Sequence, residues 1–319
     1  MALSSIITGT GAYLPSKILT NFDLEKIVET SDSWIVERTG IKQRNIAAQG
    51  ELTSDMAYQA ALNAIDNSKL PPDKIDLIIV ATTTPDSTFP SVAVKVQAKL
   101  GLKHGAAFDV QAVCGGFIYA LNIADNFIKS GQVTNVLVIG AEKMSSILDW
   151  TDRSTCILFG DGAGAVILSA TGEDRGIITS KIYSDGGFES ILYTDGGVSS
   201  TGTSGVIKMK GPELFKLAVE KISSSVVKLM ADSGFTTADI DVLVPHQANI
   251  RILESVSKRL NLPQEKVICT VEHHANTSAA SIPLALNYAI QNNRIKRGDL
   301  VVLTAIGAGL CWGANLIRW

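Results

Sequence analysis

Residues 108–127 read FDVQAVCGGFIYALNIADNF. They begin inside a short apolar run, AAFDVQAV, bounded by Gly105 and Gly115, a pattern that predicts a buried strand. Beyond it Phe117, Ile118, Leu121, Ala124 and Ile128 recur at helical spacing, which predicts a helix opening near Gly115. Cys114 thus stands at a strand-to-helix corner. There it faces unpaired N–H groups and the positive end of the helix dipole, a setting that favours the thiolate. A small apolar cysteine filling core is the commoner fate of this residue type, so the corner alone does not make a nucleophile.

His246 in IDVLVPHQAN and Asn276 in VEHHANTSAAS occupy similar places, where an apolar run gives way to a helical pattern. With Cys114 they read as a thiol nucleophile and two polar partners. A faint internal duplication relates these places. IDL at 75–77 returns as IDV at 240–242, Leu100-Gly101-Leu102 as Leu260-Asn261-Leu262, ALN at 120–122 as 285–287, IKSG at 128–131 as IKRG at 295–298, and IGA at 139–141 as 306–308. The order is collinear. The offset stays between 165 (240 less 75) and 167 (307 less 140), falling to 160 at the Leu-x-Leu pair, where loop lengths absorb the difference. All three residues then lie at carboxyl ends of strands, where open α/β sheets place their ligand sites.

The rest of the chain fits that frame. Strand-like runs IDLIIVATTT, AAFDVQAV, NVLVIGAE and GAVILSA alternate with helical stretches near 54–67, 91–100 and 115–130; GIITSKIYSDG, a helix near 212–233, IDVLVP, KVICTV and DLVVLTAIGAG follow. Alternation of this kind predicts an α/β fold of sheets covered by helices. The polar stretch 170–176 is the expected boundary, giving an N-terminal half at 1–172 with the cysteine and a C-terminal half at 173–319 with the histidine and asparagine. The Gly- and Ser-rich segment 184–205 is expected to lie over the surface.

At 319 residues, 46% hydrophobic and 18% charged, the chain can bury a large core. A net charge of −3 with no aromatic-interleaved basic stretch argues against nucleic-acid binding. No apolar run is long enough to span a bilayer, and the start, MALSSIITGTGAYLPS, lacks a basic segment and is broken by Gly9, Gly11 and Pro15, so neither membrane insertion nor a signal peptide is expected. Cysteines at 114, 156, 269 and 311 show no CxxC spacing and read as reduced thiols of a cytoplasmic protein. FGDGAGAVIL leads into a β-branched run instead of a helix, which favours close backbone packing over a nucleotide loop. His273 and His274 beside Glu272 lack any metal-site spacing.

Taken together, these motifs resemble the β-ketoacyl-acyl-carrier-protein synthase III family. The likeness runs through GTGAYLPSKILTN (9–21), TSDSWIVERTGIKQR (30–44), the cysteine corner, DWTDRSTCILFGDGAGAVIL (149–168), VPHQANIRI (244–252), HANTSAAS (274–281) and GAGLCWGANLIRW (307–319). It implies a thiolase-like fold, two duplicated halves in a five-layered α-β-α-β-α core, and a homodimer. It also implies condensation of a short acyl-CoA primer with malonyl-acyl-carrier protein, without metal or further cofactor. By the same resemblance Cys114 accepts the acyl group, His246 and Asn276 hold the malonyl thioester carbonyl, and Gly307, Ala308 and Gly309 form the oxyanion loop. Trp34 and Arg153 clasp the adenine of coenzyme A, Arg38 serves its phosphates, and Gly211 and Asn249 border the pantetheine tunnel. Phe89 reaches across the dimer interface to close the partner's acyl pocket; Lys216, Gln247, Arg251 and Lys258 meet the carrier protein.

One part of that docking surface is legible by spacing. Ile250, Leu253, Val256 and Leu260 make an apolar helix face, while Arg251 and Lys258, with Arg259 beside them, point the other way. Such a patch would steer an acidic carrier towards a chain whose net charge opposes it. Rival readings are a thiolase, for which Cys311 would have to be a second catalytic cysteine although GLCWG does not match that pattern, and an elongating synthase, which uses two histidines. A synthase of secondary metabolism using the same Cys-His-Asn chemistry, and a noncatalytic carrier-binding module, complete the set.

Overall fold

A computed structural model describes residues 4–319; Met1–Leu3, the first residues of the stretch read above for a signal peptide, lie outside it. In chain order the strands are β1 (Ser4–Tyr13), β2 (Lys17–Thr20), β3 (Gln43–Ile46), β4 (Leu77–Ala81), β5 (Ala106–Val110), β6 (Asn135–Lys143), β7 (Asp161–Thr171), β8 (Gly176–Ser184), β9 (Leu192–Thr194), β10 (Ile207–Met209), β11 (Val242–Pro245), β12 (Leu300–Gly307) and β13 (Cys311–Arg318). The helices are α1 (Asn21–Leu24), α2 (Asp32–Thr39), α3 (Thr53–Ser68), α4 (Val92–Lys99), α5 (Gly116–Lys129), α6 (Gly211–Asp232), α7 (Ile250–Arg259), α8 (Val271–His274) and α9 (Ser281–Gln291).

Two sheets organise the chain. The first runs β1-β7-β6-β4-β5 and the second β11-β12-β13-β8. Both carry parallel pairs at one edge, β4 with β5 and β11 with β12. The central strands are apolar throughout, as strands covered on both faces must be. Ile78, Val80, Leu137 and Ile139 pack outward against α3 and α4, whereas Leu77, Ile79 and Val138 pack inward with α5 and α9. On the far side of those two helices lie Val301, Leu303 and Ala305 of β12, whose alternate residues Val302 and Ile306 face α6 and α7. The result is the five-layered α-β-α-β-α core of a thiolase-like fold. Its middle helices are buried nearly all round: Phe117, Ile118, Ala120, Leu121 and Ala124 of α5 are fully enclosed.

Glycines at matching places of the duplication let the sheets approach the middle layer. A Cβ at Gly140 of β6 would lie 2.2 Å from the Ala279 carbonyl oxygen, and one at Gly307 of β12 would lie 2.7 Å from both the Ala112 oxygen and the Cys114 nitrogen. Neither contact is sterically possible, so each glycine receives the strand-to-helix turn of the other half. From Asp161 onward FGDGAGAVIL lies in β7, with Gly164 packed against Pro283 and Leu284 of α9, in line with close backbone packing.

KVICTV, read above as a strand, is not one. Only a single parallel bridge, Leu243 to Val267, forms there. The reason is Gln247, whose side chain stands in for a neighbouring strand: Nε2 donates to the Pro245 and Ile268 oxygens and Oε1 accepts from the Thr270 N–H. The chain then turns into α8.

Candidate active site

Cys114 sits in the single 3-10 turn Val113–Gly115 between β5 and α5. Val113 holds φ +47, a conformation that costs a β-branched residue on the order of 1–3 kcal/mol and that packing on both sides must enforce. The thiol is nearly enclosed, at 4% exposure. Burial pushes its pKa up to about 12, more than the Ser278 hydroxyl bond lowers it, and the nearby Glu142 carboxyl raises it further. This corrects the expectation of a resting thiolate: desolvation outweighs the helix end, and Cys114 rests protonated.

His246 follows β11, with its N–H donating to the Thr304 oxygen at 2.8 Å. Its Nδ1 lies 2.6 Å from Ser281 Oγ, which also receives the Gln247 N–H at 3.4 Å. No other acceptor takes the Ser281 proton among the described residues, so Ser281 donates to Nδ1 and Nε2 carries the imidazole hydrogen. Burial lowers the His246 pKa to about 4, and the ring is neutral at physiological pH. Asn276 accepts the Ser278 N–H at 2.9 Å through Oδ1, leaving its Nδ2 hydrogens free to donate. Both side chains are therefore set as hydrogen-bond donors.

Two cavities meet at Cys114. One, of about 100 Å³, holds Cys114, His246 and Asn276 together with Gly307 and, at the N-terminal ends of α6 and α7, Gly211 and Asn249. Asn249 also caps α7, accepting the Ile252 N–H. The other, of about 360 Å³, is lined by Cys114, Ala308, Gly309, Ile147, Phe159 and Cys311, among others. Part of its wall comes from 184–205: Glu189, Leu192, Tyr193 and Thr194 face it. That segment was expected merely to cover the surface, and its apolar ILY core is the signal that it does more.

Farther out, the guanidinium carbons of Arg38 and Arg153 lie 4.4 and 4.9 Å from the Trp34 ring centre. Arg153 also donates to the Glu29 oxygen at 3.0 Å. Gln247, expected at the carrier-protein surface, is fully buried and spends its amide on the backbone bonds described above. It is not available to a partner. Arg251, Lys258 and Arg259 are exposed on α7, opposite the buried Leu253 and Val256, and Lys216 is exposed on α6. None of the four forms an ion pair among the described residues. Phe89 is 83% exposed and stands apart from both cavities. His273 is exposed while His274 turns inward, and no cluster of three or more His, Cys, Asp or Glu able to hold a metal occurs among the described residues. Likewise, no described helix is long and apolar enough to cross a membrane.

A thiolase-like fold with a buried cysteine at the junction of two cavities defines a condensing acyltransferase. The sequence matches the model of 3-oxoacyl-[acyl-carrier-protein] synthase III over residues 108–186 and the model of its C-terminal part over 230–319. It is 58% identical over 323 aligned residues to the β-ketoacyl-[acyl-carrier-protein] synthase III of Rhodospirillum centenum, covering 100% of both chains, and 59% identical over 316 to that of Wolbachia pipientis, covering 99% of each. The crystal structure of 3-oxoacyl-[acyl-carrier-protein] synthase III from Aquifex aeolicus superposes with a TM-score of 0.95 at 50% identity, over 99% of this chain and 100% of that one. The chain belongs to the 3-oxoacyl-[acyl-carrier-protein] synthase III family.

Proposed function

We propose that this chain initiates fatty-acid synthesis by a decarboxylative Claisen condensation between a short acyl-CoA, such as acetyl-CoA, and malonyl-acyl-carrier protein. The observation that carries the reading is the junction at Cys114. One cavity offers the donors His246 and Asn276, and the other is open to an acyl chain and bordered by the loop 307–309. In the first half-reaction the Cys114 sulfur attacks the acyl-CoA thioester, the backbone N–H groups of Cys114 and Ala308 receive the charge on oxygen, and coenzyme A leaves. In the second, decarboxylation of the malonyl group produces an enolate whose oxygen is held by His246 Nε2–H and Asn276 Nδ2–H. The enolate carbon attacks the acyl-cysteine and frees it as a β-ketoacyl-carrier protein.

In this reading residues 1–172 form the half that supplies the nucleophile and 173–319 the half that supplies the two donors. Trp34, Arg38 and Arg153 take the nucleotide end of coenzyme A, with Gly211 and Asn249 along the pantetheine arm. Arg251, Lys258 and Lys216 receive the carrier protein. The enzyme acts as a cytoplasmic homodimer without a cofactor, Phe89 of each subunit closing the acyl pocket of the other. The test is product analysis: acetyl-CoA and malonyl-carrier protein incubated with the enzyme should yield acetoacetyl-carrier protein and one equivalent each of carbon dioxide and coenzyme A. Consumption of neither substrate, or hydrolysis of acetyl-CoA without condensation, would overturn it.

A further inference from the structure

Asn276 serves as a donor only if its amide stands the right way round, and the side chain alone does not fix that. Its backbone is set by pairing with 158–160: the Asn276 N–H donates to the Leu158 oxygen at 2.9 Å, and the Asn276 oxygen accepts the Gly160 N–H at 3.0 Å. The amide is set by Ser278, whose N–H meets Oδ1 at 2.9 Å. Turned over, Nδ2 would face that N–H donor against donor, and Oδ1 would point at the enolate oxygen. Ser278 aims its N–H back two residues because it sits at φ +50, in the left-handed region that a residue with a Cβ rarely adopts. Something must hold it there.

The Ser278 hydroxyl donates to Glu142 Oε1 at 3.1 Å. Glu142 closes β6 with 0% exposure and forms no ion pair among the described residues, an expensive placement for a carboxyl group. It is immobilised by neutral donors instead. Oε2 accepts the Thr84 N–H at 3.1 Å, Thr84 Oγ1 at 2.6 Å and Thr82 Oγ1 at 3.3 Å, and both oxygens share the Thr83 N–H at 3.1 Å. Thr84 Oγ1 in turn accepts the Lys143 N–H at 2.8 Å, so its own hydrogen is directed to the carboxyl. The ends of β4 and β6 therefore fix Glu142, and Glu142 reaches across to Ser278.

We propose that Glu142 is a positioning residue for the condensation step. Its carboxyl anchors the Ser278 hydroxyl, the anchored turn presents the Ser278 N–H to Asn276 Oδ1, and the amide is left with Nδ2–H directed at the enolate oxygen. The inference rests on the reading of Asn276 as an enolate donor. Glu142 lines neither cavity and acts only through Ser278. The anchor belongs to the proposed half 1–172 and the donor to the half 173–319, so the same carboxyl sets the two halves in register at the site.

The experiment loads Cys114 from acetyl-CoA, removes the excess, and follows a single turnover of carbon dioxide release from malonyl-carrier protein. Wild type, Glu142→Ala, Glu142→Gln and Ser278→Ala are compared, each also combined with Asn276→Ala. Glu142→Ala and Ser278→Ala should each slow release about fivefold, the worth of one oriented hydrogen bond, and together no more than either alone. Glu142→Gln, whose amide can still meet the Ser278 hydroxyl, should stay near wild type. In the Asn276→Ala background, itself slowed on the order of 100-fold, none of these substitutions should slow release further, because the group they position is gone. A fivefold loss that persists in that background marks a merely structural role and would overturn the proposal, as would wild-type rates in both Glu142→Ala and Ser278→Ala. Wild-type release in Asn276→Ala alone would instead refute the donor on which the proposal rests. Should Glu142→Ala not fold, Ser278→Ala decides alone by the same comparison.

Discussion

The Ser281 hydroxyl lies 2.6 Å from His246 Nδ1 and determines which face of the imidazole donates. Removing it in Ser281→Ala frees the ring to adopt either tautomer, at a cost of one oriented hydrogen bond, about 1 kcal/mol or roughly fivefold in rate. Malonyl-carrier-protein decarboxylation should fall by about that factor, with acylation of Cys114 unchanged. Because burial holds the His246 pKa at about 4, the wild-type decarboxylation rate should also stay level from pH 8 down to about pH 5. A limb near pH 6.5, the ordinary histidine value, would mean that the ring is not enclosed as described.

His246→Ala and Asn276→Ala should each spare most of the first half-reaction and cripple the second. Each removes one of two donors aimed at the enolate oxygen, and loss of one such donor costs on the order of 100-fold or more. Rapid-quench acylation and carbon dioxide release, measured on the same variants, separate the steps. If acylation failed while decarboxylation ran at the wild-type rate, the assigned roles would be exchanged.

Glu142 makes a prediction about stability that does not depend on catalysis. Its folded-state pKa of about 7 lies above the ordinary value of 4.5, so the native state holds this proton more tightly than the unfolded chain. The stabilisation is therefore fully present below pH 4.5 and is lost as pH rises through 7. The difference approaches about 3 kcal/mol at its limit, at roughly 1.4 kcal/mol per unit. Glu142→Gln abolishes the titration, so its stability relative to wild type should improve between pH 5 and pH 8. Denaturant unfolding at the two pH values measures it; a constant difference would show that Glu142 does not titrate in this window.

Some of this was legible in the sequence and some was not, for physical reasons. The buried face of α5 and the split between Leu253 and Arg251 on α7 follow from spacing, because helix periodicity alone decides which residues share a face. The corners that carry Cys114, His246 and Asn276 were legible for the same reason, as ends of apolar runs. KVICTV was misread because its would-be ladder partner is a side chain, Gln247, and no local pattern announces that. The Cys114 ionisation was misread because dipole and sequence position are local whereas desolvation comes from the whole fold. Glu142 passed unremarked at the end of NVLVIGAE, although an acid closing an apolar strand is a signal worth weighing. Ser278 and Ser281 look like filler in NTSAAS, yet the fold places their hydroxyls against the Glu142 carboxyl and the His246 imidazole.

Arg251 is exposed, forms no ion pair among the described residues, and lies two residues beyond Asn249, the cap of α7. Arg251→Glu should raise the Michaelis constant for malonyl-carrier protein most at low salt, the excess shrinking as ionic strength shortens the Debye length from about 30 Å at 0.01 M to about 8 Å at 0.15 M. Acyl transfer from coenzyme A to Cys114 should stay within about twofold, as expected of an exposed side chain remote from the sulfur. An equal loss in both half-reactions would place Arg251 with coenzyme A instead of the carrier.

The central claim is that Cys114 carries the acyl group, and peptide mapping after incubation with acetyl-CoA tests it most directly. Wild type should gain one acetyl group, found on the peptide containing Cys114. Cys114→Ala should gain none, although Cys156 and Cys311 remain, because neither occupies the turn between the two donors and the oxyanion loop. A stable adduct on the variant, at Cys311 or Cys156, would contradict the account.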